Sequence, residues 1–388
     1  MSYRSQISRL AILLLITVTS SGLTHAADRA PTKYMIYVGT YTNHGSKGIY
    51  AYQFDASTGK LTSPGLAAET SQPSFLAVDP GGHFLYAVNE SGNFNGQPTG
   101  AVSAFSIQPE TGKLSLLNQV SSRGADPAHI ILDRTGKYLF VSNYTSGSVV
   151  VLPVLKDGRL GEASSFVQHK GSSVNPERQK GPHAHAIALS PDNRFAIVAD
   201  LGLDQLIAYP FDAAKGTLGA NPQITKASPG AGPRHLTFSS DGRFLYVINE
   251  MQSTAVTYAY DAGTGVLREY QSISTLPKGF SGTSTGAEIE IDPSGKFLFA
   301  SNRGDDSIAI FSIDSRTGTL THVDTDPTGG KTPRHFTVDP TGTWLLAANQ
   351  DSDNITVFRF DQKAGRLIAT GDVIQVSAPV CLTFVTTP

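Results

Sequence analysis

Two polar pairs bracket one short apolar stretch of the chain, Pro233 to Glu250 (PRHLTFSSDGRFLYVINE). Arg234 and His235 precede an apolar run, an Asp241-Gly242 turn reverses the chain, and Phe244 to Ile248 is an unbroken β-rich run. The ends of a hairpin lie side by side, so Arg234 and His235 are predicted to meet Asn249 and Glu250 at its open mouth. A guanidinium fork grips carboxylate or phosphate oxygens bidentately. An imidazole or a carboxylate can take a proton from water or from a carbon next to a carbonyl. Arginine or imidazolium beside a developing oxyanion adds the electrostatic contribution.

The hairpin is one copy of a repeat. Its turns recur at Asp79-Pro-Gly, Asp133-Arg-Thr-Gly, Ser190-Pro-Asp-Asn, Ser239-Ser-Asp-Gly, Asp292-Pro-Ser-Gly and Asp339-Pro-Thr-Gly. A second mark, a turn followed by leucine, ends at Leu61, Leu114, Leu160, Leu218, Leu267, Leu320 and Leu367, seven copies 46 to 58 residues apart. The missing seventh hairpin is split between the chain ends: Pro379 to Val385 matches its first strand and Tyr34 to Thr42 its second. Four short strands per unit, seven units and one shared unit predict an all-β, seven-bladed β-propeller of four antiparallel strands per blade, closed by the terminal strands.

This topology sorts the loops. The turns within each hairpin and the Thr-Gly-x-Leu turns share a lower face and are short. The long segments Ser91 to Gly100, Gln168 to Gly181 and Gln271 to Gly286 fall on the upper face, where the first strands begin and the second strands end. Aligning the repeats places Phe75, His129, His185, His235, Glu288, His335 and Cys381 at one ring position, with Arg234 and Arg334 one residue earlier. His183 lies two residues before His185, on the same side of its strand. The second strands end at the same mouth with Asn89-Glu90, Asn143-Tyr144, Asp200, Asn249-Glu250, Asn302-Arg303 and Asn349-Gln350. A single histidine at a strand start is ordinarily satisfied by a backbone carbonyl; several at one repeat position predict a functional ring. A divalent ion held by His183, His185, His235 and Glu288 is the rival reading, and the neighbouring arginines argue against it. No metal and no cofactor is expected.

Composition sets outer limits. A formal charge of −2 over 388 residues, with 16% charged, gives no sign of a nucleic-acid surface. Arg4 and Arg9, the apolar run Leu10 to Val18 and the small-residue site Thr24-His25-Ala26 predict a secretory signal peptide over residues 1–26. The domain is expected over 27–388, as a periplasmic or secreted monomer with no membrane span after signal removal. The single Cys381, in PVCLTFV, excludes an intrachain disulfide and reads as a packed thiol.

The stretches GPRHLTFSSDGRFLYVINE, STGAEIEIDPSGKFLFASNRGDDSIAIF, GGKTPRHFTVDPTGTWLLAANQDSDNITVF and the closing PVCLTFV resemble the lactonase-type seven-bladed β-propeller family across residues 34–385. That family takes in propeller-type 6-phosphogluconolactonases and carboxymuconate cyclases. The resemblance implies a small-molecule lactone substrate and hydrolysis without a nucleophilic serine. No GxSxG elbow, Walker loop or GxGxxG follows any strand. It also implies a catalytic group of His185, Arg234, Glu250 and Arg303, and His235, Glu288 and Arg334 sit in stretches similar to the lactonases; these three, with His183, His335, His129 and Asn249 from the mouth, are the expected substrate-binding positions. A lactonising cyclase using the same residues, or a propeller that binds a ligand or partner without turnover, are the alternatives.

Overall fold

The computed structural model describes residues 32–386. The expected signal peptide lies outside the described residues. These residues form seven antiparallel sheets, one per predicted unit. In the closing sheet the C-terminal strand Pro379–Thr386 pairs with Lys33–Thr40, Val38 opposite Leu382, so both ends of the described chain are bound into one blade. The remaining six sheets follow in chain order, and we number the blades 1 to 7 from this one. In blade 4 the outermost position is filled by two pieces, Thr217–Leu218 and Gln223–Lys226, both paired to Gln205–Asp212. The first strands of all seven blades touch in cyclic order, which closes the ring.

The core is divided to match. Seven apolar clusters occur, and each joins residues of two neighbouring blades, as Leu245, Val247 and Tyr258 of blade 5 meet Ile197, Ala199 and Leu206 of blade 4. A second strand such as Phe244–Asn249 is therefore apolar on both faces, which explains its lack of alternation. Cys381 belongs to the cluster between blades 1 and 2, and burial pushes its thiol up to about 12.

The Thr-Gly-x-Leu mark has a packing cause. Its glycines, Gly59, Gly112, Gly158, Gly216, Gly265, Gly318 and Gly365, all have φ between 66° and 83°. Five of them, Gly59, Gly158, Gly216, Gly265 and Gly318, lie against the aromatic residue that opens the second strand of the preceding blade; Gly112 meets Met35, and Gly365 meets Val323 and Phe297. A Cβ on Gly216 would sit 2.0 Å from the Tyr138 ring, and one on Gly59 2.5 Å from Trp344. Left-handed backbone and ring contact both require glycine there.

The three predicted insertions are irregular over 91–100, 169–181 and 275–284: Gln168 ends the strand Ser165–Gln168, the strand Leu267–Ser274 continues through Gln271, and Thr285 and Gly286 already open the strand Thr285–Ile291. Among the described residues no helix is long and apolar enough to cross a membrane.

Candidate active site

In blades 3, 4, 5 and 7 the first strand begins with a one-residue bulge, and the bulge builds the site. Pro233 pairs with Asn249 and His235 with Ile248, which leaves Arg234 as the extra residue. Blade 7 repeats this with Arg334 between Pro333 and His335, and blade 3 with Ala128 between Pro127 and His129. In blade 4 the extra residue is His185, between Ala184 and Ala186. The sequence alignment is corrected here: His185 shares its position with Arg234 and Arg334, whereas His129, His235, Glu288 and His335 occupy the next one. A bulge re-aims its side chain out of the ladder, and Ala128, His185 and Arg334 all line one cavity of about 230 Å³.

The rest of the wall comes from residues that follow, or end, the second strands: Tyr41, Glu90, Tyr144, Glu250 and Arg303. Arg178 completes it from the insertion between blades 3 and 4. Glu250 is the hub. Its Oε1 accepts from Arg178 Nη2 at 2.6 Å, and its Oε2 faces Arg303 Nη2 at 2.9 Å and Arg234 Nε at 3.2 Å. Burial opposes charge on Glu250, but Arg303, Arg234 and Arg178 outweigh it and hold the carboxyl down at about 2. Arg234 is 2% exposed and also donates through Nη1 to the Ala287 carbonyl. Burial, with Arg303 and Arg334 close by, pulls it down to about 9, still a cation at neutral pH. Arg303 donates to the Gly286 carbonyl at 3.1 Å, and its buried Nε has no protein partner.

Across the cavity, Tyr41 donates to Glu90 Oε2 at 2.9 Å, and the Arg334 guanidinium lies 5.3 Å from the Tyr41 ring centre. His185 stands edge-on to Tyr144, with centroids 5.5 Å apart. Burial, then the charges of Arg234, His235, Arg334 and Arg303, push its imidazolium form well below the ordinary histidine range. Its ring is neutral, and Nδ1 has no protein partner.

Of the predicted catalytic group, His185, Glu250 and Arg303 line the cavity, and Arg234 lies against Glu250. Of the seven predicted substrate-binding residues, Arg334 alone is in the wall. His129, His235, Glu288 and His335 form a cluster beside Phe75: His235 Nδ1 donates to Glu288 at 2.9 Å, His335 Nε2 is 3.4 Å from Glu288, and the His129 and His235 rings are 5.3 Å apart. His129, His235 and His335 sit one residue past the bulge, and Glu288 is the second residue of a wider irregularity between Gly286 and Ile289. His183 stacks on Tyr144 at 4.6 Å and donates to the Tyr144 carbonyl at 3.0 Å. Asn249 is buried and donates to Thr254 Oγ1. Among the described residues no three His, Cys, Asp or Glu side chains are arranged to hold a metal ion.

Arg178, Tyr41, Glu90 and Tyr144 went unassigned in the sequence. Tyr41, Glu90 and Tyr144 each follow a second strand, the repeat position that sets Glu90 and Tyr144 at the same mouth as Glu250. Arg178 sits in an insertion whose residues have no counterpart in the repeat unit, so the repeat offered no signal.

A rigid ring of blades with a basic, carboxylate-centred pocket built from bulges and strand ends defines a propeller enzyme rather than a plain scaffold. The chain belongs to the lactonase seven-bladed β-propeller family, whose sequence model matches residues 35–384, and in class it is a lactone hydrolase. It is 35% identical over 353 residues to a 6-phosphogluconolactonase of Bacillus subtilis, covering 91% of this chain and 99% of that one. A 6-phosphogluconolactonase of Formosa agariphila is 36% identical over 307 residues, 78% of this chain and 85% of that one. Among solved structures, the periplasmic gluconolactonase of Pseudomonas aeruginosa superposes with a TM-score of 0.87 at 36% identity, covering 92% of this chain and all of that one.

Proposed function

We propose that the protein is an exported lactonase that opens a sugar lactone of the 6-phosphogluconolactone type in the cavity bounded by His185, Glu250, Arg303 and Arg334. The observation that carries this reading is a neutral imidazole opposite guanidinium groups whose shared counter-ion, Glu250, is fixed by three ion pairs. Water attacks the lactone carbonyl carbon while His185 accepts its proton. The carbonyl electrons move onto oxygen, where Arg303 and Arg334 stabilise them without reorganising. Collapse breaks the ring C–O bond, and the imidazolium returns the proton to the leaving oxygen, giving a hydroxy acid. Glu250, with its carboxyl near 2, is a weak base at neutral pH and acts by orienting Arg178, Arg234 and Arg303.

The residue 1–26 leader and the similarity to a periplasmic gluconolactonase support work outside the cytoplasm on a small-molecule substrate. The test is a panel of 6-phosphogluconolactone, glucono-1,5-lactone and cis,cis-muconates given to the protein from residue 27 onward. Hydrolysis of a sugar lactone well above its spontaneous rate is expected. Turnover of muconates alone, or of no compound on the panel, would overturn the reading.

A further inference from the structure

After the outermost strand of every blade, one backbone N–H bonds back to the start of the third strand or its preceding turn, from Thr70, Ser122, His169, Ala227, Thr275, Thr328 and Val376 in turn. At three of these junctions the residue there meets an asparagine at the end of the next second strand: Asn89 donates to Thr70 Oγ1 at 2.9 Å, Asn143 to the Ser122 carbonyl at 2.9 Å and Asn302 to the Thr275 carbonyl at 2.8 Å. Blade 4 alone has an aspartate, Asp200, and it faces a histidine. His169 Nδ1 donates to Asp200 Oδ2 at 2.6 Å, with both side chains at most 1% exposed. Asp200 Oδ1 accepts from His183 N at 2.8 Å and Leu203 N at 3.1 Å. One carboxylate thus holds both ends of the insertion, residues 169 and 183, that delivers Arg178.

The insertion is pinned at two further points, Gln179 Nε2 to the Leu201 carbonyl at 2.8 Å and Ser173 Oγ to Asp204 Oδ2 at 2.6 Å. Its product is a guanidinium whose Nη2 is used by Glu250 and Tyr144 Oη, while its side chain remains 42% exposed at the cavity wall. Arg234 and Arg303, at 2% and 15%, are committed to the interior. Of the three arginines on Glu250, Arg178 is therefore the one with open donors at the mouth; the unpartnered Nε of Arg303 is buried, and Arg334, in the same wall, lies over the Tyr41 ring.

Building on the lactonase reading, we propose that Arg178 is a specificity-determining residue that binds the anionic substituent of the substrate, and that Asp200, through His169 and the His183 amide, is its positioning residue. The aspartate–histidine pair occurs where the insertion delivers a cavity residue; the other inter-blade insertion, 275–284, starts from an Asn302–Thr275 pair and contributes no residue to the wall.

A double-mutant cycle tests this on the otherwise intact protein. Arg178→Ala is expected to raise KM for 6-phosphogluconolactone roughly 10- to 100-fold, the worth of one charge-assisted bond, and to lower its preference over glucono-1,5-lactone. Asp200→Asn, which installs the residue other blades tolerate, is expected to raise the same KM about 3- to 30-fold with kcat within about threefold. In the Arg178→Ala background it should add less than about twofold, because its effect runs through Arg178. Full additivity, or an unchanged preference in Arg178→Ala, would overturn the proposal. Titration with inorganic phosphate by calorimetry reads the same cycle without turnover, so failure of the lactonase reading and failure of this one are distinguishable. Should Asp200→Asn not fold, His169→Gln, which keeps one donor, replaces it in the cycle.

Discussion

Arg234 donates through Nε to Glu250 Oε2 across 3.2 Å, tying the bulge that opens the first strand of blade 5 to the residue that follows its second strand. Both side chains are at most 6% exposed. Arg178 and Arg303 join the same carboxylate from two other parts of the chain, so one glutamate fixes the geometry of three cations.

Glu250→Gln therefore removes more than one contact. It leaves three guanidinium groups facing a neutral amide, two of them buried. Breaking a buried pair by deleting one partner costs about 3–5 kcal/mol. We expect a loss of that order in denaturant unfolding, together with a fall of at least ~100-fold in kcat/KM as the arginines lose register. A variant as stable and active as the wild type would remove Glu250 from the account.

The pH dependence of activity follows from His185. Burial and four neighbouring cationic or imidazole groups hold it below its ordinary value of 6.5, so it stays an available proton acceptor throughout the neutral range. The kcat/KM profile should be flat between about pH 6 and 8, with the acid limb lying below the free-histidine value. A limb centred at 6.5 or higher would show that another group carries the proton.

Stability against pH carries a separate signature. Glu250 is depressed from 4.5 to about 2, so its contribution is complete above 4.5 and is lost as pH falls from 4.5 through 2. Burial, against the pull of Glu288, lowers His335 to about 4; its unfolded form binds a proton near 6.5 while the folded form resists. Between 6.5 and 4 each step down in pH thus favours unfolding. The melting temperature should begin to fall below about pH 6.5, and His335→Asn should flatten that decline. An unchanged decline in the variant would contradict the assignment.

The glycine of the blade 4 turn offers a test of the fold alone. Gly216→Ala places a Cβ 2.0 Å from the Tyr138 ring at φ 67°. Strain and overpacking together should cost roughly 2–4 kcal/mol, seen as a lower unfolding midpoint with kcat/KM unchanged in the surviving native protein. A neutral effect would mean the blade contact is looser than described.

Most of the architecture was legible because a propeller writes each blade into the sequence with the same turns. The count of seven, the split closing blade and the upper-face insertions all follow from Gly-x-Leu and Asp-Pro-x-Gly spacing. The site was legible in its parts but not in its layering. His185 lies five residues before its turn at Ser190, as Arg234 does before Ser239 and Arg334 before Asp339, whereas His129, His235 and His335 lie four before theirs. That single-residue offset separates the cavity wall from the cluster beside Phe75, and a residue-type match across blades obscures it. Arg178 was invisible because its position depends on a loop without a repeat partner and on the Asp200 anchor.

The central claim is that a neutral His185 beside the Glu250-ordered arginines performs lactone hydrolysis. Its most direct test is the rate of 6-phosphogluconolactone and glucono-1,5-lactone opening by the wild-type protein and by His185→Gln, each corrected for spontaneous hydrolysis. Saturable wild-type hydrolysis, with a loss of at least ~100-fold in kcat for the variant at unchanged melting temperature, is the predicted result. Equal rates for the two proteins would contradict it.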